Sequence, residues 1–298
     1  MKRWIRWSAA GVGVVVLMAA AAVIGGKALA GKKRMRQVAV QVAPVAYASD
    51  AMSIERGKYL FQSRGCVDCH GAGGEGRDFV NQPPTRIAGP NITPAGIVAG
   101  YKPEDWVRTI RHGVKPDGTP ALIMPSEDYN RLTDADLAAL VAYVRALPPV
   151  KNANVAIVEL PLPAWVLYGF NAIPDAAQRI NHSLPPARPV AEGATVEHGK
   201  YVANMCLGCH GETFSGGKIP GGPPDWPAAA NITPGEGSAM PRYPDAEKFA
   251  AMMRSGKRPD GTAIAVMPFG SLSKMSDVDL QALYLYIRTV PPKPSGAH

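Results

Sequence analysis

The 298-residue sequence contains four cysteines, and all of them fall in two copies of one pattern, Cys66-Val-Asp-Cys69-His70 and Cys206-Leu-Gly-Cys209-His210. Cys-x-x-Cys-His suits covalent haem attachment: two thiols bond to the vinyl-derived carbons of one porphyrin edge, and the adjacent histidine reaches the iron. A dithiol redox centre needs no following histidine and belongs in a βαβ setting, for which the sequence offers no pattern. A structural zinc site wants four ligands, and each motif offers three. We therefore expect two covalent haem c groups, one on Cys66 and Cys69 and one on Cys206 and Cys209, with His70 and His210 on iron.

Each iron then needs a second axial ligand or an open position. Met124 and Met267 lie 54 and 57 residues beyond the two histidines, in the triplets Ile123-Met124-Pro125 and Val266-Met267-Pro268. One methionine at such a place is ordinary core filling, and the chain has 11 of them. Recurrence at the matched position, each time after Pro-Asp-Gly-Thr, selects this pair as ligands. His112 faces Ser255 in the other copy and is expected at the surface or on the propionate side. His182 and His198 have no histidine counterpart and read as structural.

The elements that must position these groups are duplicated with them. Glu55-Arg-Gly-Lys-Tyr-Leu60 recurs as Glu197-His-Gly-Lys-Tyr-Val202, Asn91-Ile-Thr-Pro94 as Asn231-Ile-Thr-Pro234, and Leu132-Thr-Asp-Ala-Asp-Leu137 as Met275-Ser-Asp-Val-Asp-Leu280. Such ordered self-similarity marks a repeated structural unit. In each copy a helix is expected before the first cysteine, over 53–63 and 195–205. A second, opened by proline, is expected over 103–111 and 244–254. A third, over 133–147 and 276–289, would be capped by Thr133 or Ser276. No long stretch alternates as a paired strand would, so the fold expected is all-α with long glycine- and proline-rich loops. Residues 150–192 form a proline-rich connector whose apolar patch, 155–173, reads as a strap packed over both repeats.

Charge is uneven. Residues 1–49 carry eight basic side chains and no acid, whereas the rest balances 24 basic against 24 acidic residues. A nucleic-acid binder spreads basic residues over its folded body, and this body is neutral. The N-terminus places Lys2, Arg3 and Arg6 before an apolar run from Ser8 to Gly26, the pattern of an export signal or a membrane helix. Trp4 and Trp7 suit a membrane interface, while the basic cluster Lys32–Arg36 is unusual on the exported side. Either an anchor or a signal cleaved after Ala30 or after Ala48, each closing a small-x-small triplet, fits this segment, and both place the body in the periplasm.

The sequence resembles class I cytochromes c in Gly57 and Tyr59 before the first motif, Met124-Pro125 and Tyr143, and again in Gly199, Tyr201, Met267-Pro268 and Tyr286. The resemblance implies that the first and last helices of each copy cross at the glycine and the aromatic residue. It also implies that the carbonyl of Pro90, in Gly89-Pro90-Asn91, accepts the proximal histidine's ring N–H; the second copy has Ala229-Ala230-Asn231 there. The Asn-Ile-Thr-Pro, Pro-Asp-Gly and closing Leu-Pro-Pro blocks are more particularly similar to cytochrome c subunits of membrane-bound alcohol or gluconate dehydrogenases, which commonly carry three haems. The expected organisation is an anchor or signal at 1–30, a linker at 31–51, cytochrome c domains at 52–149 and 193–293 around the connector, and a tail at 294–298.

Methionine–histidine ligation raises the potential of a haem iron and leaves no vacant coordination position. The function expected is therefore electron transfer, from a dehydrogenase or quinol-side donor to a terminal oxidase or soluble cytochrome, with the membrane as a further partner. The alternative is a dihaem enzyme of peroxidase or thiosulfate-oxidising type, which would need one open iron.

Overall fold

A computed structural model describes residues 2–151, 154–223 and 225–297; Met1, Asn152, Ala153, Pro224 and His298, within the expected anchor, connector, second repeat and tail, lie outside the described residues. In chain order come α1 (Lys2–Arg34), α2 (Ala51–Ser63), α3 (Cys66–His70), β1 (Arg77–Gln82), β2 (Thr85–Gly89), α4 (Pro103–His112), α5 (Ser126–Tyr129) and α6 (Asp134–Ala146). The connector supplies β3 (Ile157–Glu159), α7 (Leu162–Gly169) and α8 (Ala176–Arg179). The second repeat supplies α9 (Val196–Val202), α10 (Leu207–His210), α11 (Ala246–Ser255), α12 (Phe269–Leu272) and α13 (Asp277–Ile287).

Side-chain caps set the starts of α2, α6, α8, α9, α11 and α13, because the first turn of a helix leaves N–H groups without intrahelical partners. Asp50 accepts from Ser53 N at 2.9 Å and starts α2 two residues ahead of the expected position. Thr133 accepts from Asp136 N at 3.0 Å and Ser276 from Asp279 N at 3.1 Å, as the sequence implied. Pro103 does open α4, but α11 begins on the Asp245 cap, with Pro244 outside it. The helix expected over 195–205 is α-helical only to Val202 and tightens into a 3₁₀ turn over Ala203–Cys206.

In each repeat the first and last helices cross at the glycine that the resemblance singled out. A Cβ added to Gly57 would lie 1.9 Å from the Ala139 carbonyl oxygen and 2.7 Å from Tyr143 Cβ; one added to Gly199 would lie 1.9 Å from Ala282 O and 2.7 Å from Tyr286 Cβ. Backbones can approach this closely only where one residue has no side chain. Leu60, Phe61, Leu137 and Val141 are buried at the first crossing, and Val202, Leu280, Leu283 and Ile287 at the second.

Two expectations are corrected. The first repeat is not wholly helical: β1 pairs antiparallel with β2, and β3 of the connector adds antiparallel to β2, with Ile87 opposite Val158. β1 is mostly exposed and its register shifts between Asp78 and Val80, so no clean apolar–polar alternation was there to read. Among the described residues the second repeat keeps only an isolated bridge, Gly217 to Ala229, at the matching place. The connector is also not one extended strap: β3 joins β2, α7 packs against the end of α1, and Ile173 lies beside Gly221 of the second repeat.

The repeats meet through matched elements, α5 against α10 and α12 against α3. Asp128 on α5 accepts from Gly208 N at 2.8 Å, and its counterpart Ser271 on α12 donates to Asp68 Oδ2 at 2.6 Å. Tyr59 OH donates to Asp279 and Tyr201 OH to Asp136, each at 2.6 Å. Each tyrosine thus crosses to the first turn of the other repeat's last helix, a quasi-twofold arrangement.

Candidate haem sites

Both histidines are held by the same local device. His70 Nδ1 lies 3.0 Å from the Pro90 carbonyl oxygen, and His210 Nδ1 lies 2.8 Å from that of Ala230. A carbonyl oxygen can only accept, so Nδ1 carries the proton and the Nε2 lone pair is left for a metal. Burial holds both imidazoles below their usual titration range, more than the carbonyl bond restores. Both are therefore neutral at physiological pH, the ligating form. Replacement of proline by alanine in the second copy leaves this bond intact.

The carbonyls are fixed from behind by the Asn-Ile-Thr-Pro blocks. Asn91 Oδ1 accepts from Thr93 N and Oγ1 at 2.9 and 2.7 Å, and its Nδ2 donates to Val150 O at 2.7 Å. Asn231 repeats this with Thr233 N and Oγ1 at 2.9 and 2.8 Å and with Lys293 O at 2.7 Å. The loop beside each histidine is thereby tied to the segment that follows the last helix. Gly76 and Gly216 complete the device and were not singled out in the sequence. They sit at φ 80° and 72°, and an added Cβ would lie 2.7 Å from Pro90 C or 2.5 Å from Ala230 O. Their signal was the shared His-x₅-Gly spacing after each motif.

The methionines also stand in matched geometry. Asp117 Oδ1 accepts from Thr119 N at 2.9 Å, and Asp260 Oδ1 from Thr262 N at 2.9 Å, closing the turn ahead of each triplet. Pro125 has φ −80° and ψ 63° while Ser126 N donates to Met124 O at 2.8 Å; Pro268 has φ −78° and ψ 65° while Phe269 N donates to Met267 O at 2.8 Å. These are inverse γ-turns, for which the proline ring pre-sets φ.

In the second repeat Cys206, His210 and Met267 line one apolar cleft with Ile232, Phe249 and Met252, open to solvent and with a cavity volume of about 100 Å³. In the first repeat Cys66 and Met124 both lie against the core that contains Trp106 and Val107, and the Trp106 indole N–H is buried without an acceptor. A buried donor without a partner is costly, and a group with an acceptor at its edge, such as a haem propionate, would satisfy it. The residues of both repeats fit a haem.

The thiols do not suit the competing chemistries. Burial pushes Cys66 up to about 12, Cys69 up to about 11 and Cys206 up to about 12, whereas redox and metal-binding thiolates have lowered values. Among the described residues no three His, Cys, Asp or Glu side chains gather to hold a metal ion.

His112, His182 and His198 do not line the cleft of the second repeat. His112 is buried, not at the surface, with Nδ1 3.0 Å from Nδ1 of His182, whose Nε2 donates to Ala177 O at 2.9 Å. Burial, with His182 alongside, brings His112 down to about 4. His198 is buried too, and its Nε2 donates to Asp279 at 2.7 Å.

The family described as cytochrome c oxidase, cbb3-type, subunit III matches residues 53–144 and 194–287, more than half of the chain and one match per repeat. The chain belongs to this cytochrome c family. Relatives matched over much of the chain include cytochrome subunits of dehydrogenases. The fructose dehydrogenase cytochrome subunit of Gluconobacter japonicus is 28% identical over 81% of this chain and 53% of its own length. The cytochrome c subunit of the quinone alcohol dehydrogenase of Gluconobacter oxydans (strain 621H) is 25% identical over 83% of this chain and 57% of its own. The gluconate 2-dehydrogenase cytochrome c subunit of Pantoea cypripedii is 30% identical over 55% of this chain and 38% of its own. This cytochrome thus spans little more than half the length of the relatives it matches most fully. Its function at the family level is electron transfer by haem c.

Proposed function

We propose that this cytochrome is a two-domain, dihaem electron relay on the periplasmic face of a membrane, not itself an enzyme. Residues 52–149 and 193–293 form the two class I domains, joined by the connector 150–192. Cys66 and Cys69 would hold one haem and Cys206 and Cys209 the other, with His70 and Met124, and His210 and Met267, as axial ligands. When bound, each haem supplies a one-electron iron couple. The chain's own residues do the rest: Pro90 and Ala230 carbonyls orient the histidines, the γ-turns present the methionines, and the apolar walls limit water. The observation that carries this reading is the duplication of the whole device, from His–carbonyl bond to Met-Pro turn.

Names borne by the relatives favour a dehydrogenase as donor, and the oxidase-subunit description of the family favours a terminal oxidase as acceptor. The linker 31–51 and helix α1 would tether the body to the membrane. Retention of α1 is supported by its junction with the connector, where Ala30, at the first candidate cleavage site, is 2% exposed.

The test is optical spectroscopy of the purified holoprotein. Haem content should be two per chain, and the weak long-wavelength ferric band of iron–methionine bonding should fall by about half in Met124→Ala and by about half in Met267→Ala, as two independent His/Met sites require. A native iron that is high-spin and binds carbon monoxide would replace the relay with the dihaem-enzyme reading for that domain.

A further inference from the structure

The apolar patch of the connector is the largest feature that electron transfer leaves unexplained. From Leu160 to Pro174 the chain has no charged residue. α7 lies within it, and Leu162, Leu167 and Phe170 are 47%, 46% and 51% exposed. Monomeric proteins seldom leave such a cluster open to water without a use for it.

The other face of α7 shows where the helix sits. An added Cβ on Gly169 would lie 2.0 Å from Gly26 O and 2.9 Å from Ala30 N, and one on Gly26 would lie 2.8 Å from side chains of Val166 and Phe170. The two backbones therefore touch through small residues in the last turns of α1. Polar contacts lock the junction. Lys33 Nζ donates to Tyr168 O at 2.8 Å and Ile173 O at 3.1 Å, satisfying carbonyls at the end of α7. Arg36 forks onto both oxygens of Asp175 at 2.7 Å, and Tyr168 OH donates to the same carboxylate at 2.8 Å. The basic cluster that looked misplaced in the sequence is, for Lys33 and Arg36, the socket of this junction.

α1 is long and apolar enough to cross a bilayer, and its candidate span is almost wholly exposed. Its apolar run, Ser8 to Gly26, covers about 28 Å of helix at about 1.5 Å per residue, close to a hydrocarbon core of about 30 Å. The run ends where Gly26 meets α7. A membrane surface at that level leaves α7 alongside the headgroups, with Trp165 of the type enriched there.

We propose that α7 and its flanks, residues 160–174, form a second membrane contact that lies in the interface of the leaflet from which α1 emerges, its exposed leucines and Phe170 turned into lipid. The inference rests on the reading of α1 as a retained span. Together the two elements hold the body at a fixed attitude to the bilayer, where a single flexible tether would let it swing. The bilayer is favoured as occupant over a protein surface because the patch is continuous with the apolar helix it packs on.

The test is photolabelling of the full-length holoprotein in phosphatidylcholine vesicles that contain a lipid-tail diazirine, followed by peptide mapping. Label is expected on the apolar run of α1 and on peptides covering 160–174, and not on exposed Met52 of α2. A Leu162→Glu/Leu167→Glu variant should lose about fivefold or more of the label on 160–174 as its apolar face becomes charged, with α1 labelled as before. Label on α1 with none on 160–174 would overturn the proposal, leave the anchor standing and assign the patch to a protein partner. Absence of label from both would overturn the anchor reading and this inference together.

Discussion

Asp279 is fully buried and accepts from side chains of both repeats: Tyr59 at 2.6 Å and Arg64 at 2.5 Å from the first, and His198 at 2.7 Å from its own. Its counterpart Asp136 is served differently, by Arg56 of its own repeat at 2.8 Å and by Tyr201 across the boundary at 2.6 Å. Burial by itself would raise the Asp279 carboxyl, but the Arg64 charge and the bonds from Tyr59, Arg64 and His198 outweigh it and bring it down to about 2. A carboxylate lowered on folding contributes stability that is complete above its unfolded value, about 3.9, and is lost as pH falls toward 2. Asp279→Ala leaves Arg64 buried without its partner, a change that costs about 3–5 kcal/mol for buried pairs. Denaturant unfolding of the holoprotein, followed by circular dichroism at pH 7 and pH 3, checks this: the deficit should be large at pH 7 and smaller at pH 3. An equal deficit at both values would mean that the carboxylate's charge is not what stabilises.

At the scale of elements, the glycine crossings are the least replaceable contacts. A methyl at Gly57 would meet the Ala139 carbonyl, which is backbone and cannot rotate away, so α2 and α6 must separate. Overpacking typically costs about 1–3 kcal/mol and at times more; Gly57→Ala and Gly199→Ala should fall at or above the upper end. Gly100→Ala, with open space around the position, is the control and should leave the guanidinium midpoint unchanged. The caps at Thr133 and Ser276 were legible in the sequence because duplication separates what a fold requires from what it tolerates, and the glycine crossings were legible through the resemblance to class I cytochromes c. The sheet was not, because β1 is polar and exposed and its third partner comes from about 70 residues away. Nor was the α1–α7 junction legible. It rests on Gly26, Ala30 and Gly169, small residues whose meaning appears only once two helices touch, and on a lysine and an arginine whose acceptors lie about 140 residues on.

For the molecule as a whole, the crossed tyrosines decide whether two repeats behave as one body. Interfaces between domains of one chain commonly permit relative motion. Here, however, each tyrosine hydroxyl ends on the carboxylate of the other repeat, and each also accepts from the cap residue there, Tyr59 from Ser276 N at 3.0 Å and Tyr201 from Thr133 N at 3.3 Å. The start of either last helix is therefore completed by the opposite repeat, and melting one repeat exposes a buried carboxylate in the other. Coupling of this kind predicts a single calorimetric transition for the holoprotein, with van't Hoff and calorimetric enthalpies in agreement. Tyr59→Phe and Tyr201→Phe each remove a hydrogen bond to a charged acceptor, about 1.5–3 kcal/mol apiece, without altering either core. In the double variant the transition should broaden and split, because each repeat retains its own helix crossing while the tyrosine links between them are cut. A double variant that still melted in one step at the wild-type temperature would move the coupling to the Asp128–Gly208 and Ser271–Asp68 contacts, which join the segments carrying the cysteines themselves.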